Sequence, residues 1–349
     1  MKILITGGLG FIGSAVVRLA IERGYKVINI DSQTYASNIE NVSNVQSNPN
    51  YIFERVDIRD REALSQIFKK YQPDKLMHLA AESHVDRSID EPEKFIETNI
   101  TGTFNLLSSA LYYWHSRGSP DTFRFHHIST DEVYGSLSND LNIKFTENFP
   151  YKPRSPYSAS KASSDHLVRA WHETYSLPVV LTNCSNNYGP YHFPEKFIPL
   201  IIINCLTEKP LPIYGDGSHI RDWLYVEDHA EALLLASSKG KIGYSYNIGG
   251  DNQSSNLELV QKLCTILDKL QPRKHGIYSD LISFVKDRPG HDFRYAIDSN
   301  LIQKELGWKP SVSLFEGLEK TVKWYLENKN WWKPLLGREG VGERLGIKK

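Results

Sequence analysis

A glycine-rich loop directly after a short apolar run most constrains the fold of this 349-residue chain. Residues 2–6 have the pattern of a buried strand, and Gly-Gly-Leu-Gly-Phe-Ile-Gly follows at residues 7–13. Gly8, Gly10 and Gly13 fit the pattern G-x-G-x-x-G, and Gly7, Gly10 and Gly13 fit a wider spacing. Such glycines allow a tight turn that places a dinucleotide pyrophosphate at the N-terminus of the next helix. An ordinary glycine turn is the alternative, but strand, loop and helix arrive here in the order that a dinucleotide site requires.

An acidic residue at the end of the second predicted strand indicates which dinucleotide binds. Residues 25–30 read as that strand, and Asp31 ends it, 18 residues after Gly13. A carboxylate at this place takes the adenosine ribose hydroxyls and would repel a 2′-phosphate. Ser32 and Gln33 offer no cation to bind such a phosphate. The sequence therefore predicts NAD rather than NADP.

Strand and helix patterns alternate through the first half of the chain. Further strands are predicted at residues 51–56, 75–79, 124–129 and 178–183. This rhythm predicts an α/β fold with a Rossmann-type doubly wound parallel sheet. Ligands bind beyond the carboxyl ends of such strands. Polar or small residues follow four of the predicted strand ends, at Asp31, Asp57, residues 80–83 and residues 129–132.

The residue composition changes after Asn183. Turn-forming residues become frequent, and cations recur at Lys196, Arg221 and Arg288, with His291 nearby. We predict an NAD-binding domain over residues 1–185, with returns to it near 223–250. A smaller, interleaved C-terminal substrate-binding α/β domain is predicted over 186–330, and a C-terminal tail over 331–349.

Composition agrees with a cytoplasmic enzyme. Lys plus Arg and Asp plus Glu each number 41, so the charge balance favours neither nucleic acid nor an anionic membrane as partner. No apolar stretch reaches the ~20 residues of a membrane helix, and the first apolar run breaks at Gly7, unlike a secretory signal. The three cysteines are widely spaced and suit a reducing compartment. We expect no metal, because the twelve histidines form no metal-binding motif.

Tyr157 and Lys161 form a Tyr-x-x-x-Lys pair that a helix would place on one face. A nearby ammonium and a positive nicotinamide ring are expected to lower the phenol pKa from about 10 by favouring phenolate. Phenolate could accept the proton of a sugar hydroxyl while hydride leaves. A surface pair on an amphipathic helix explains the same spacing, but the dinucleotide loop and the preceding Ser129-Thr130 pair favour the catalytic interpretation.

Asp131 and Glu132 stand side by side just after a predicted strand. Acidic residues there often cap helices or lie in solvent. Here the pair falls at the expected ligand edge, and Thr130 precedes it with a hydroxyl suited to orienting a substrate oxygen. Eliminating water across two sugar carbons needs a base at one carbon and an acid at the next. Adjacent carboxyl groups can divide these roles, because like charges push their pKa values apart.

Together these residues resemble the extended short-chain dehydrogenase/reductases and, within them, the dTDP-glucose 4,6-dehydratase family. The resemblance extends from the glycine loop to about Trp324. The Asp131-Glu132 pair is more selective for this family than the glycine loop or the Tyr/Lys pair. Segments that carry the resemblance are residues 6–13, 78–88, 129–135, 157–161, 186–196, 221–229 and 287–291.

The resemblance implies a role for each matching residue. Tyr157 would be the base for the hydroxyl at carbon 4, Glu132 the base at carbon 5, and Asp131 the acid at carbon 6. Lys161 would hold the nicotinamide ribose, and Thr130 and Ser83 would touch the sugar. Residues lining NAD would be Gly7, Gly10, Phe11, Ile12, Gly13, Asp31, Ser32, Gln33, Thr34, Asp57, Ile58, Leu79, Ala80, Ala81, Ser83, Thr98, Tyr157, Lys161 and Asn187. Those binding the nucleotide half of the substrate would be Asn186, Lys196, Phe197, Pro212, Ile213, Tyr214, Arg221, Asn256, Asp287, Arg288 and His291.

The resemblance also implies the reaction: oxidation at carbon 4, loss of water across carbons 5 and 6, and return of hydride to carbon 6, with NAD regenerated and retained. The substrate would be dTDP-glucose, which such enzymes convert on the way to dTDP-rhamnose and other deoxysugars. Two departures from the family pattern concern the nucleotide contacts. Phe197 stands where leucine is more frequent, and residues 337–346 contain no tyrosine.

Two alternatives stay open from the sequence. A UDP-hexose 4-epimerase would need the Tyr/Lys pair but no acid–base pair for elimination, so Asp131-Glu132 argues against it. A catalytically silent NAD-binding regulator or scaffold need not keep Thr130, Asp131, Glu132, Tyr157 and Lys161 together.

Two helices are predicted to form a homodimer interface. Ile100, Phe104, Leu107, Leu111 and Trp114 repeat at helical spacing, while Leu106, Ala110 and Tyr113 form a second apolar face. A helix that is apolar on two faces must bury both. The second helix, from about residue 158 to 175, offers Leu167, Trp171 and Tyr175. A core helix covered by its own chain is the alternative.

Overall fold

A seven-stranded parallel sheet, in the order β3-β2-β1-β4-β5-β6-β10, forms the centre of the computed structural model. The structure describes residues 1–287, 289–338 and 341. It confirms the predicted Rossmann-type α/β fold. The strands are β1 (Lys2–Thr6), β2 (Lys26–Asp31), β3 (Tyr51–Arg55), β4 (Lys75–His78), β5 (Arg124–Thr130), β6 (Val179–Cys184), β7 (Asn186–Tyr188), β8 (Leu211–Tyr214), β9 (Ile220–Tyr225), β10 (Ser245–Ile248), β11 (Gln253–Ser255) and β12 (Ile282–Val285).

Both faces of the large sheet are apolar, and helices cover both. Ile3 and Ile5 of β1 point to one core and Leu4 to the other, because successive strand side chains alternate between faces. Helices α1 and α8 pack on the first face, and α2, α5 and α6 on the second. The helices are α1 (Phe11–Glu22), α2 (Arg61–Tyr71), α3 (Val85–Asp90), α4 (Pro92–Phe95), α5 (Thr103–Ser116), α6 (Pro156–Tyr175), α7 (Phe197–Leu206), α8 (Val226–Lys239), α9 (Asn256–Leu270), α10 (Asn300–Leu306), α11 (Leu314–Glu327) and α12 (Lys329–Trp332).

The order of the strands reverses at β1, which pairs with β2 on one side and β4 on the other. Connections from these strands leave towards opposite faces, so a crevice opens beyond their carboxyl ends. The glycine loop follows β1 at this crevice. The end of β5, which carries Thr130, lies on the same edge of the sheet.

A second core is built mainly from residues beyond 186. Strands β7, β9 and β11 form a small sheet, β8 pairs with β12, and α7, α9 and α11 pack around them. Strand β10 lies at the edge of the large sheet, next to β6. The division into two domains and a tail stays a prediction.

Buried free thiols are present in both parts of the fold. Cys184 ends β6, whereas Cys205 and Cys264 lie on α7 and α9 in the second core. Within the described residues, no helix has the length and apolar character needed to cross a membrane.

Candidate active site

The glycine loop forms a cradle of backbone atoms at the N-terminus of α1. Gly7 has a φ of 72°, a left-handed conformation that favours glycine, and its N–H donates to Ile30 O at 2.8 Å. A Cβ at Gly13 would lie 2.1 Å from Gly7 O, and one at Gly7 would lie 2.7 Å from Ala80 Cα. A side chain at either position would therefore collide with backbone. Together with the free N–H groups of the first helical turn, this cradle fits the pyrophosphate of NAD.

Asp31 connects the glycine loop to the end of β2. Its carboxylate accepts the N–H of Leu9 at 3.1 Å and that of Gln33 at 2.8 Å. Burial raises the pKa of Asp31, although both of these hydrogen bonds oppose the shift. The acid thus lies at the strand end where a ribose would be expected, with Ser32 and Thr34 following it in the loop.

Other predicted NAD-lining residues surround the same crevice. Asp57 follows β3 and pairs with Arg59 at 2.7 Å, while the buried Ile58 contacts Gly102. Ala80 N donates to Thr6 Oγ1 at 3.0 Å, which ties the segment after β4 to the end of β1. Leu79 N donates to Thr6 O in the same segment, which continues through Ala81 and Ser83. Thr98 lies in the π-helical stretch Ile96–Gly102. Ile12 is in the first turn of α1.

One ring stack and two contacts of the Asn187 amide lie near β7. Phe11 stacks on His192 with ring centroids 4.2 Å apart. Asn187 Nδ2 donates to Ser185 O at 2.9 Å, and Asn187 Oδ1 lies 2.8 Å from His229 Nδ1. The side chain of Asn187 is therefore fixed on both sides, which preorganises it near the strand ends.

Helix α6 carries the Tyr/Lys pair in its first two turns. The helix begins with a capping box, in which Ser155 Oγ accepts the Ser158 N–H and Ser158 Oγ accepts the Ser155 N–H, each at 3.0 Å. Pro156 occupies the first helical position, where a backbone N–H would have no acceptor within the helix, so its missing N–H costs nothing. These signals fix the start of the helix, so Tyr157 and Lys161 both reach the buried edge of β5.

Burial raises the pKa of Tyr157 well above its ordinary value, and the nearby carboxylate of Glu132 raises it further. A side-chain hydrogen bond with Thr130 acts in the opposite direction. Lys161 Nζ instead donates to Ile128 O at 2.9 Å. The side chains of the protein therefore favour the neutral phenol, and the expected lowering by Lys161 is not what they produce. The effect of a positive nicotinamide ring stays a prediction.

The two carboxyl groups occupy different environments at the end of β5. Thr130 Oγ1 accepts the N–H of Glu132 at 3.3 Å and caps the 3₁₀ turn Asp131–Tyr134. Thr130, rather than either acid, is therefore the cap. Asp131 is 1% exposed, and burial, then Glu132, then Asp222, raise its pKa well above the ordinary value. Burial thus favours the protonated form of Asp131, while Glu132 is only partly buried.

A layer of buried polar groups beneath the Tyr/Lys pair was missed by sequence reasoning. Asp165 lies one turn after Lys161 on α6 and accepts hydrogen bonds from His127, Ser129, Tyr151 and Asn183. The spacing of Tyr157, Lys161 and Asp165, four residues each time, was a signal that could have identified it.

Lys196 and Phe197 lie where the second core meets the crevice. Lys196 Nζ donates to Ser83 O at 2.9 Å, and Phe197 begins α7. The preceding Glu195, also missed, accepts Tyr35 OH at 2.9 Å and pairs with Arg87 at 3.1 Å. Through Tyr35, the buried carboxylate of Glu195 holds the segment before α7 against the loop that follows Asp31.

The other predicted substrate residues line one side of the second core. Arg221 on β9 donates to Asp292 O at 3.0 Å and lies over the Tyr295 ring. Asn256 is the first residue of α9, and Asn186 is the first residue of β7. Pro212 and Tyr214 are partly buried on β8, whereas the side chain of Ile213 is fully buried in the second core, so its backbone alone could contact a ligand.

His219, Asp287 and His291 meet at the rim of this side. His291 Nδ1 lies 2.7 Å from Asp287 Oδ1, His219 Nε2 lies 3.4 Å from Asp287 Oδ2, and the two rings stack at 3.7 Å. Sequence reasoning expected no metal and missed His219, although the ligand atoms of the three residues lie within 4.8 Å of one another and could hold a divalent ion. Arg288 lies outside the described residues.

Comparison with known proteins identifies the family. A family model described as GDP-mannose 4,6 dehydratase matches residues 4–321. A dTDP-glucose 4,6-dehydratase from Neisseria meningitidis serogroup B is 58% identical over 354 aligned residues, covering 100% of this chain and 99% of the relative. The chain belongs to the dTDP-glucose 4,6-dehydratase family. The family resemblance inferred from the sequence motifs is therefore confirmed.

Solved structures agree with the family and with the cofactor. A dTDP-glucose 4,6-dehydratase from Streptomyces venezuelae with NAD and TYD bound is similar at 44% identity and a TM-score of 0.87, covering 96% of this chain and 100% of that one. A UDP-glucose 4-epimerase from Thermotoga maritima is similar at 31% identity and a TM-score of 0.82, covering 94% of this chain and 99% of that one. The fold is thus shared with epimerases, and the dehydratase is more similar in sequence.

Proposed function

We propose that this protein is an NAD-dependent dTDP-glucose 4,6-dehydratase, a hydro-lyase that forms dTDP-4-keto-6-deoxyglucose for deoxysugar nucleotide biosynthesis. The observation that carries the proposal is the pairing of a buried Asp131, whose pKa is raised, with a partly exposed Glu132, next to Tyr157. Redox chemistry needs only the Tyr157/Lys161 pair. A separated acid and base beside it are what elimination of water needs.

The residues at the end of β5 supply the proton transfers. Bound NAD would supply the acceptor for the hydride of carbon 4 and the donor for carbon 6. Tyr157 takes the proton of the hydroxyl at carbon 4, with Lys161 beneath it at the nicotinamide ribose. The resulting ketone acidifies the proton at carbon 5, which Glu132 removes, and carbon 5 is reprotonated when hydride returns to carbon 6. Asp131 gives its proton to the hydroxyl that leaves carbon 6 as water, and Thr130 orients the sugar.

Thymidine nucleotide recognition is assigned to the side of the crevice formed by the second core. Lys196, fixed on Ser83 O, lies between the two parts and would face the diphosphate. Arg221, Asp287 and His291 would complete the polar contacts, together with Asn186, Phe197, residues 212–214 and Asn256. Arg288, which lies outside the described residues, is assigned on the resemblance alone. These assignments rest on the family resemblance, and the contact of Lys196 with Ser83 O supports them because it joins the second core to the segment after β4.

Parallel incubations with dTDP-glucose, UDP-glucose and GDP-mannose test the proposal. We expect the 4-keto-6-deoxy chromophore in alkali from dTDP-glucose, with much slower formation from the other two. Conversion of UDP-glucose to UDP-galactose without loss of water would instead support an epimerase. Binding of NAD without turnover of any sugar nucleotide would support a regulator or scaffold.

Asp31→Ala is expected to weaken NAD binding by roughly 10-fold or more, since hydrogen bonds to charged groups contribute about 1.5–3 kcal/mol. It should also relax discrimination against NADP, because the carboxylate no longer repels the 2′-phosphate. Titration with NAD and NADP checks both effects. Glu40→Ala is the control, because it removes an exposed carboxylate in the turn Ile39–Val42 and leaves Asp31 and its two backbone contacts intact. Finding NADP bound to the unmutated protein would overturn the assignment.

A homodimer through α5 and α6 is part of the proposal. The structure corrects the predicted faces: Leu107 and Trp114 are buried in the chain's own core together with Leu106, Ala110 and Tyr113. Phe104 and Tyr175 are 39% and 46% exposed and pack edge-on against Trp171. With Leu111 and Tyr112 they line an open groove, rimmed by Arg61 and His115. A second copy of the chain could cover this aromatic surface.

Phe104→Asp with Tyr175→Asp is expected to convert the dimer to a monomer. Loss of an aromatic side chain at the centre of an interface costs roughly 2 kcal/mol or more of binding free energy. The carboxylate that replaces it would also have to be buried. Light scattering at micromolar concentration measures the change. Ile242→Asp, an exposed apolar residue away from the groove, is the control. A monomer in the unmutated protein would count directly against the dimer.

We infer a cytoplasmic location from the chemistry of the chain. The buried cysteines carry free thiols, which a reducing compartment maintains. NAD and sugar nucleotides are expected in the same compartment. Fractionation of cells that express the protein, with a thiol count on the purified chain, tests this inference.

A further inference from the structure

Asp165 is a fully buried carboxylate that the proposed reaction does not use directly. It lies on α6 four residues after Lys161 and eight after Tyr157, so all three side chains project from one face of the helix. Exposure falls along this face, from 8% at Tyr157 to 5% at Lys161 and 0% at Asp165. A lone buried charge is costly, so its surroundings show what it does.

Four donors from other elements hold the Asp165 carboxylate. His127 Nε2 approaches Oδ1 at 3.1 Å, while Ser129 Oγ and Tyr151 OH each donate to Oδ2 at 2.9 Å. Asn183 Nδ2 is a weaker donor at 3.4 Å. Burial alone would raise the pKa of Asp165, but His127, Lys161 and Ser129 outweigh it and the net shift is downward. The group is therefore an anion.

Lys161 is a buried cation one helical turn before the buried anion Asp165. It is 5% exposed, and its ammonium donates to Ile128 O at 2.9 Å. Burial lowers the pKa of Lys161, and Asp165 is the largest influence that acts in the opposite direction. A buried cation needs a fixed counter-charge to stay ionised, and Asp165 is one helical turn away.

We propose that Asp165 is a positioning residue whose anchored carboxylate is the counter-charge that keeps Lys161 an ammonium at the end of β5, beneath Tyr157. The proposal rests on the proposed function, in which Lys161 holds the nicotinamide ribose as an ammonium. It assigns the donors around Asp165 the task of holding the anion in place.

Other titratable groups around this pair keep one charge state near neutral pH. Burial, assisted by Lys161, lowers the pKa of His127 to about 4, so it donates to Asp165 as a neutral imidazole. Burial also lowers the pKa of His78 well below its ordinary value and raises that of the Cys184 thiol. It raises the phenol pKa values of Tyr134 and Tyr151, and the guanidinium of Arg169 donates to Tyr151 OH at 3.2 Å. Tyr157, one turn before Lys161 on α6, is itself influenced by Glu132 and Asp131.

The sign of the expected effect follows from this arrangement. Asp165→Asn removes the counter-charge and lowers the pKa of Lys161. Lys161 would then lose its proton at a lower pH, so the rate of carbon-4 oxidation falls at a lower pH than in the unmutated protein. Since a nearby opposite charge shifts a pKa by about 1–3 units, the alkaline limb should move down by about that amount.

The experiment compares pH profiles of the first oxidation in a single turnover with dTDP-glucose for the unmutated protein, Asp165→Asn and Tyr151→Phe. Tyr151→Phe removes one donor to Asp165 and keeps both charges, so its limb should stay within about 0.5 units of the unmutated protein. An unchanged limb in a folded Asp165→Asn, or an equal shift in Tyr151→Phe, would overturn the proposal.

A direct titration of Lys161 keeps the proposal testable whatever the variant does. Lysine side chains labelled with ¹³C at Cε report their charge by NMR, and the spectrum of Lys161→Arg identifies the signal. We expect an ammonium at pH 7 in the unmutated protein, and loss of the Lys161 proton at a lower pH in Asp165→Asn than in the unmutated protein. A neutral amine in the unmutated protein would overturn the proposal even if Asp165→Asn fails to fold. Failure of the proposed function would appear separately, as absence of dTDP-glucose turnover.

Discussion

Tyr157→Phe is expected to abolish oxidation at carbon 4 and loss of water together. The phenol is the group placed to take the hydroxyl proton, and elimination depends on the ketone that this oxidation creates. Removing a general base costs about 10²–10⁴-fold, and the loss should appear equally in both steps. Rapid-quench analysis, with absorbance of the reduced nicotinamide, measures the two steps in one experiment.

The control for this prediction separates chemistry from folding. Tyr157 is 8% exposed, so loss of its hydroxyl leaves a well-packed ring. Bound NAD and the unfolding temperature should therefore stay close to those of the unmutated protein. Tyr244→Phe, at a ring that is 43% exposed, should leave both steps unchanged. Oxidation at the unmutated rate in Tyr157→Phe would assign the base to another group.

Glu132→Gln is expected to separate the two steps. Glu132 acts after the ketone has formed, so oxidation at carbon 4 should continue while removal of the carbon-5 proton slows by about 10²–10⁴-fold. The variant should accumulate bound reduced cofactor with the oxidised sugar and release little 4-keto-6-deoxy product. A variant that lost oxidation and elimination equally would place Glu132 in the first step instead.

Asp131→Asn provides the comparison within the same pair. The buried acid is expected to protonate the departing hydroxyl, and water can partly replace a general acid. The loss of elimination should therefore be smaller than in Glu132→Gln, with oxidation again retained. Equal losses in both variants would indicate that the two carboxyl groups do not divide the acid and base roles.

The fold could be predicted because its signals are local. The glycine loop after β1, the acid at Asp31 and the alternation of strands and helices each depend on a few consecutive residues, and the parallel sheet follows from them. The capping box at Ser155 likewise positions Tyr157 and Lys161 through neighbouring residues. The acid–base pair could be predicted for the same reason, because Asp131 and Glu132 are adjacent in the sequence.

Features that depend on distant contacts were not predicted. Asp165 is held by residues from β5, β6 and the segment before α6, and His219 meets Asp287 across the second core. Helical spacing could not assign Leu107 and Trp114 to the inner face, because both faces of α5 are apolar. The raised pKa of Tyr157 depends on burial, which the Tyr-x-x-x-Lys spacing alone does not measure.

A single turnover of Glu132→Gln with dTDP-glucose tests the central claim most directly, because the claim is that redox and elimination groups meet in one site. Absorbance of the reduced nicotinamide reports the first step, and quenched samples report the sugar product. We predict a rise in absorbance at close to the unmutated rate, which then persists, with little 4-keto-6-deoxy product. Product formation at the unmutated rate would contradict the account, because the carboxyl pair would then be a feature of the surface rather than of the reaction.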